Sequence, residues 1–232
     1  MGALPYLDIH THRLIEDSNI ISVRSLSRNE VLSASQFDSF VSAGIHPWWT
    51  EEITTDEVLE LKERIQKLVE ERKLWAVGET GLDRLYPETL ELQKDLFKWH
   101  LELSEVHQLP LIIHSVRAGS DLLEIIKGQR PKSPWIFHDF RGNEELVRKL
   151  LDLHPHCYFS FGISVDNSQA IRDLLRTIPI GHIFFETDNQ KHLDIHEIFL
   201  RASEKMGVEL DFLKSQVWIN FKKIMPGFSL TH

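Results

Sequence analysis

Apolar residues along the 232-residue chain fall into two alternating patterns. Short runs rich in β-branched and aromatic side chains occur at Tyr6 to His12, Ile20 to Leu26, Phe40 to His46, Leu74 to Gly78, Leu109 to His114, Trp135 to His138, Tyr158 to Gly162 and Ile183 to Glu186. Each reads as a strand. Between the later runs, apolar positions recur at helical spacing over Asp56 to Arg72, Thr89 to His107, Ser120 to Lys127, Asn143 to Leu153 and Gln169 to Arg176, and again over Asp211 to Met225 after the last run. Strand alternating with helix predicts a parallel sheet. Eight such strands, with no glycine-rich nucleotide fingerprint after the first, favour a closed barrel over an open Rossmann-type sheet. The expected fold is therefore α/β, a TIM-like (β/α)8 barrel.

The first third is less regular. About seven residues separate His12 from Ile20, whereas a crossover carrying a helix needs about ten to twelve. A helix is therefore missing near the N-terminus and the barrel is distorted on that side. Ser27 to Ser39 is polar and weakly periodic, which predicts a loop or at most a short helix. No repeat, low-complexity tract or Pro/Gly-rich linker divides the chain, so residues 1–232 read as a single domain.

Composition narrows the class. Hydrophobic residues make up 42% and charged residues 26% without any long apolar stretch, which predicts a soluble protein with no membrane partner. The start MGALPYLDIH has neither a basic leader region nor a cleavage pattern, so the expected location is cytoplasmic. The single cysteine, Cys157, excludes an internal disulfide and reads as a buried, inert thiol. A formal charge of -9 argues against a broad basic nucleic-acid surface, although bound divalent ions can attract phosphate to an acidic protein.

Chemistry enters at the strand ends. His10 and His12, His46, Glu79, His114, His138 and Asp188 stand at or just beyond the C-terminal ends of successive apolar runs. A parallel barrel brings those ends to one face. In Asp8-Ile9-His10-Thr11-His12, strand alternation sends both imidazoles to one side, where they can chelate an ion. An isolated pair of this kind is more often an ordinary couple of strand residues. Four further ligand-type residues at four other strand ends turn the pattern into a predicted metal centre. Glu79, with two carboxylate oxygens, can bridge two cations in the manner of two-metal phosphodiesterases.

The segments DIHTH, GIHPWW, VGETGLD, LPLIIHS, FHDFRG and ETD resemble, in content and order, the TatD family of metal-dependent deoxyribonucleases, relatives of the amidohydrolase barrels. The resemblance spans Asp8 to Asp188 and implies two divalent ions, magnesium, manganese or zinc. It places His10, His12, Glu79 and Asp188 on one ion and Glu79, His114 and His138 on the other. It implies hydrolysis of DNA phosphodiester bonds, several members acting on single strands, by a hydroxide that metal coordination activates. Coordination of that kind lowers the pKa of water from 15.7 toward about 7. Asp188 is the expected orienter of that water and acceptor of its proton.

His46, in Gly-Ile-His-Pro, is a candidate for holding a phosphate or assisting the leaving oxygen; in the family the matching histidine faces the substrate. A buried structural histidine is the plain alternative. Arg84 and Arg117, and after them Arg141, follow strands onto the same face and suit phosphate recognition, though each also suits a solvated surface. Asp83 can hold a ligand or Arg84 in place, and Trp48 and Trp49 can stack on a base or pack over the rim. After Asp188, Asn189-Gln190-Lys191-His192 replaces the family's Ser-Pro and Pro-rich loop, so the substrate pocket is expected to differ there. Alternatives to a nuclease are a two-metal hydrolase of a small amide, lactone or phosphoester, and a non-catalytic binding barrel.

Overall fold

The computed structural model describes residues 4–33, 36–37 and 40–225. In chain order the elements are β1 (Tyr6–Thr11), β2 (Ile20–Ser25), α1 (Arg28–Ser33), β3 (Phe40–Ala43), α2 (Thr55–Glu70), β4 (Ala76–Asp83), α3 (Leu90–His107), β5 (Leu111–Val116), α4 (Gly119–Ile126), β6 (Trp135–Phe137), α5 (Glu144–Leu153), β7 (Cys157–Phe161), α6 (Ser164–Asn167), α7 (Gln169–Thr177), β8 (Ile183–Phe185), α8 (Ile195–Met206) and α9 (Leu210–Ile224). The eight strands pair in parallel in sequence order. An isolated parallel bridge between Thr11 and Asp188 joins the two edges. Its hydrogen bonds run from Asp188 N to His10 O (3.0 Å) and from His12 N to Asp188 O (3.2 Å). The result is a nearly closed TIM-like barrel.

Local chemistry explains the outer helices. Thr54 and Glu57 form a reciprocal capping box at the start of α2, which satisfies donors that the first turn leaves free. Asn143, Ser168 and Asp194 cap α5, α7 and α8 through side-chain oxygens. Each helix then buries one stripe against the strands. In α2 that stripe is Leu61, Ile65 and Leu68, all fully buried, and each contributes roughly 1.5–3 kcal/mol by leaving water.

No helix lies between β1 and β2, as their short separation predicts. Within Ser27 to Ser39 the structure describes residues 27–33 and 36–37, and the helix there is the short α1; residues 34–35 and 38–39 lie outside the described residues. The pattern reading stopped at β8 and resumed at Asp211, so it missed α8. That helix buries Ile195, Ile198, Phe199 and Ala202, an i, i+3, i+4, i+7 stripe. Strand ends also shift: β1 stops at Thr11 and β3 at Ala43, short of His12 and His46, whereas β4 runs on to Asp83 and β5 to Val116, so that Glu79 and His114 lie within their strands. His46 instead opens a 3₁₀ turn, Pro47–Glu51, and caps it. Among the described residues no helix is long and apolar enough to cross a membrane. Cys157 is buried, and burial pushes its thiol pKa up, consistent with an inert side chain.

Candidate metal centre

The strand ends converge because the backbones of β3, β4 and β5 come unusually close. A Cβ on Gly44 would stand 2.5 Å from the Glu79 carbonyl oxygen, and one on Gly81 would stand 2.0 Å from that of His114. Glycine at these two positions lets Glu79 and His114 meet across adjoining strands; Gly81 also has a φ of +148°, which a side chain would strain.

Glu79 is buried and its oxygens face two groups. Oε1 lies 2.7 Å from His138 Nε2, 2.8 Å from His46 Nε2 and 2.9 Å from His114 Nδ1. Oε2 lies 3.2 Å from His10 Nε2 and 3.3 Å from His12 Nε2. Asp188 Oδ1 closes the second group, 3.5 Å from His12 Nε2 and 3.7 Å from His10 Nε2. Three triads of these donors fall within metal-chelating reach: His10, His138 and Asp188; His10, His12 and Glu79; His46, Glu79 and His114. All the sequence-predicted ligands, and His46 with them, therefore meet at one place. His10, His114 and His138 are buried, whereas His12 and Asp188 reach solvent.

The outer partners of each ring decide which nitrogen faces the centre with a lone pair. His114 Nε2 points at Asp83 Oδ2, 3.1 Å away, and His138 Nδ1 at Glu186 Oε1, 3.3 Å away. A proton on each of those nitrogens leaves His114 Nδ1 and His138 Nε2, 3.0 Å apart, as acceptors aimed at Glu79. His46 is the reverse case. Its Nδ1 accepts from the Trp48 amide (3.0 Å), so its Nε2 carries the proton and donates it to Glu79. On the other side, both nitrogens of His10 and Oε2 of Glu79 are buried without a hydrogen-bond partner. Acceptors that crowd a carboxylate without donors of their own need positive charge between them, so this donor set fits divalent cations.

Without metal, protons take that place. Burial opposes charge on His138, yet Glu79 and Glu186 hold its pKa well above the usual histidine value. Burial likewise opposes charge on His12, which hydrogen bonds to Asp188 and Glu79 push up to about 9. Burial would raise the pKa of Glu79, but His138 and His46 hold it well below the carboxylate range. His46 is different, because burial lowers its pKa and keeps it neutral.

Two supporting carboxylates went unread in the sequence. Glu186, fully buried, accepts from the Asp139 amide (2.9 Å) and from Ser160 Oγ while orienting His138. Asp8 accepts from Thr187 N (3.0 Å) and Oγ1 (2.6 Å), and burial pushes its pKa up to about 7. The signal for both was an acid within or ending an apolar strand. Asp83 holds His114 rather than Arg84; its Oδ2 also accepts from Trp48 Nε1 (2.8 Å).

The arginines divide. Arg84 forms a two-pronged pair with Asp121, at 2.6 and 2.8 Å, and Arg141 pairs with Asp139. Arg117 is exposed and has no ion pair among the described residues. Trp49 packs against the core while Trp48 stays half exposed. An open recess of about 370 Å³ lies between the loop after β1 and the loop after β8, lined by none of the candidate ligands. Arg13 spans those loops, donating to Lys191 O and Leu193 O at 3.0 Å each.

Comparison with known proteins identifies a family and a shared fold. The model of a family described as TatD related DNase matches residues 16–225. Over 154 residues the chain is 32% identical to an uncharacterized metal-dependent hydrolase of Buchnera aphidicola, a match covering 65% of this chain and 58% of the relative. Over 150 residues it is 30% identical to the uncharacterized metal-dependent hydrolase YcfH of Escherichia coli K12, covering 64% and 54%. The matched part thus spans a little over half the length of these curated relatives. Among solved structures, YjjV, a TatD homologue from Escherichia coli K12, superposes with a TM-score of 0.79 at 20% identity, over 94% of this chain and 97% of that one. A hydrolase TatD family protein from Entamoeba histolytica gives 0.75 at 16% identity, over 97% and 99%. At such low identity these superpositions speak to the fold.

Proposed function

Since the chain belongs to the TatD-related DNase family, we propose that it is a metal-dependent hydrolase that cleaves phosphodiester bonds of DNA, with single strands as substrate. The observation that carries this reading is Glu79, whose two oxygens each face a separate group of imidazoles. His10, His12, Glu79 and Asp188 would hold one divalent ion, and Glu79, His114 and His138 a second. Magnesium, manganese and zinc are the candidate ions. When bound, the ions supply Lewis acidity toward a phosphoryl oxygen and make a water molecule more acidic.

The chain's own residues supply the rest. Asp188 reaches solvent at the mouth of the centre, where its carboxylate can orient an attacking water and take its proton. Burial would raise its pKa, yet His12 and His10 hold it down to about 2, so the base form is present at neutral pH. His46 donates to Glu79 through Nε2 and is a positioning residue for that carboxylate. Arg117 presents an uncommitted guanidinium to phosphate, whereas Arg84 would first have to leave Asp121.

The test is hydrolysis by purified protein supplied with Mg²⁺ or Mn²⁺, using an end-labelled single-stranded oligonucleotide beside a panel of small amides, lactones and phosphoesters. Cleavage of the oligonucleotide is expected, and Glu79→Ala should abolish it, since that change removes a ligand from both ion positions. Turnover of a small ester or amide with the oligonucleotide left intact would replace the substrate assignment. Full activity in Glu79→Ala would trace the cleavage to a contaminant.

A further inference from the structure

Trp48 is half exposed, at 50%, yet it is fixed on every other side. Its amide donates to His46 Nδ1 and its indole N–H to Asp83 Oδ2, at 3.0 and 2.8 Å. Its ring centre lies 4.8 Å from that of His46 and 6.0 Å from that of His114, both edge-on, and 6.4 Å from that of Tyr86. Pro47 stiffens the turn beneath it. An apolar group of this size ordinarily gains by burial, as its neighbour Trp49 does by packing on the core. Trp48 instead leaves half of its surface in water, with its indole hydrogen-bonded to Asp83 next to the imidazoles of the metal centre.

We propose that this face is a stacking platform for a planar group of the substrate, a nucleobase next to the scissile phosphate. The assignment rests on the phosphodiesterase reading above and adds to it the means by which the strand is held. Every base has a π-face, so a single indole grips a strand without reading its sequence. Rigidity matters because an aromatic ring that is already ordered loses little freedom on binding. The same Asp83 oxygen that anchors the indole also receives His114 Nε2–H. One carboxylate therefore sets the direction of a metal ligand and the plane on which the substrate rests, and the distance between base and reacting phosphorus is fixed by that shared anchor.

The experiment compares an oligodeoxynucleotide with an abasic strand of equal length, under the metal conditions of the hydrolysis assay. Trp48→Ala is expected to raise KM for the base-bearing strand on the order of tenfold, with a much smaller change in kcat and none in KM for the abasic strand. Trp48→Phe, which keeps a ring but loses the N–H to Asp83, should recover part of the KM. Calorimetric titration with Mn²⁺ should give the same affinity for Trp48→Ala as for the unaltered protein, separating stacking from any disturbance of His114. Equal losses on both strands, or no recovery by Trp48→Phe, would reduce Trp48 to a packing role and overturn the platform. If the unaltered protein loaded with metal cleaved neither strand, the phosphodiesterase reading would fall and take the platform with it.

Discussion

His100 lies beneath the centre with its neutral ring locked at both ends. Its Nε2 accepts from the Ile45 amide at 3.0 Å, and its Nδ1 donates to Leu96 O at 2.7 Å. Complete burial drives its pKa down from 6.5 to about 3. The unfolded chain takes up this proton near pH 6.5, whereas the folded protein refuses it until about 3. Stability is therefore lost as pH falls through that window and is fully present above it, at up to about 1.4 kcal/mol per pH unit from this group. Urea unfolding in chelator at several pH values should show a flatter acid limb for His100→Gln, even if that variant starts less stable. An identical slope would mean that His100 does not carry the effect. At this scale the sequence was readable wherever a residue's type and its place at a strand end were enough, as for His10, His12, Glu79, His114, His138 and Asp188. It offered Asp83 as a carboxylate that could hold a ligand without saying which, and it was silent on Glu186 as the partner of His138, a pairing across 48 residues of chain. It singled out His46 as a group facing the substrate but not as a donor to Glu79, a part that follows from which of its nitrogens the Trp48 amide takes.

Elements show the same division. Periodicity located the strands and most of the outer helices because each buries one face. It overlooked α8, whose stripe begins at Ile195, only seven residues after Asp188, and follows a polar loop. Arg13 holds that loop, with two of its nitrogens on the carbonyls of Lys191 and Leu193. Removing the guanidinium frees backbone that has few other restraints. Arg13→Ala should accordingly be cut by trypsin after the exposed Lys191 faster than the unaltered protein, with helix content unchanged by circular dichroism. Equal cutting rates would show that the loop is held by other contacts. Such a link between the first and last strand exits could not be read from the chain, where its ends lie far apart.

Across the whole molecule, the barrel was legible because eight alternating units leave few other ways to bury every stripe. The way it closes was not. Each pair of consecutive strands shares two or more paired positions, but among the described residues the one backbone bridge between the end of β8 and β1 is Thr11–Asp188, beside the side-chain bonds of Asp8 to Thr187. The residues at that bridge, His10, His12 and Asp188, are the candidate ligands of one ion. A ligand that binds the folded form alone adds about 2.7 kcal/mol at a hundred times its dissociation constant, and here the gain should be felt first where the sheet is thinnest. Adding EDTA is expected to speed hydrogen exchange at the Asp188 and His12 amides more than at β4 or β5 amides, and to lower Tm; uniform acceleration would break the connection. The ring of strands is thus a hoop buckled at its candidate metal centre, so that on the reading proposed above, whatever strips an ion from the clasp would also loosen the hoop.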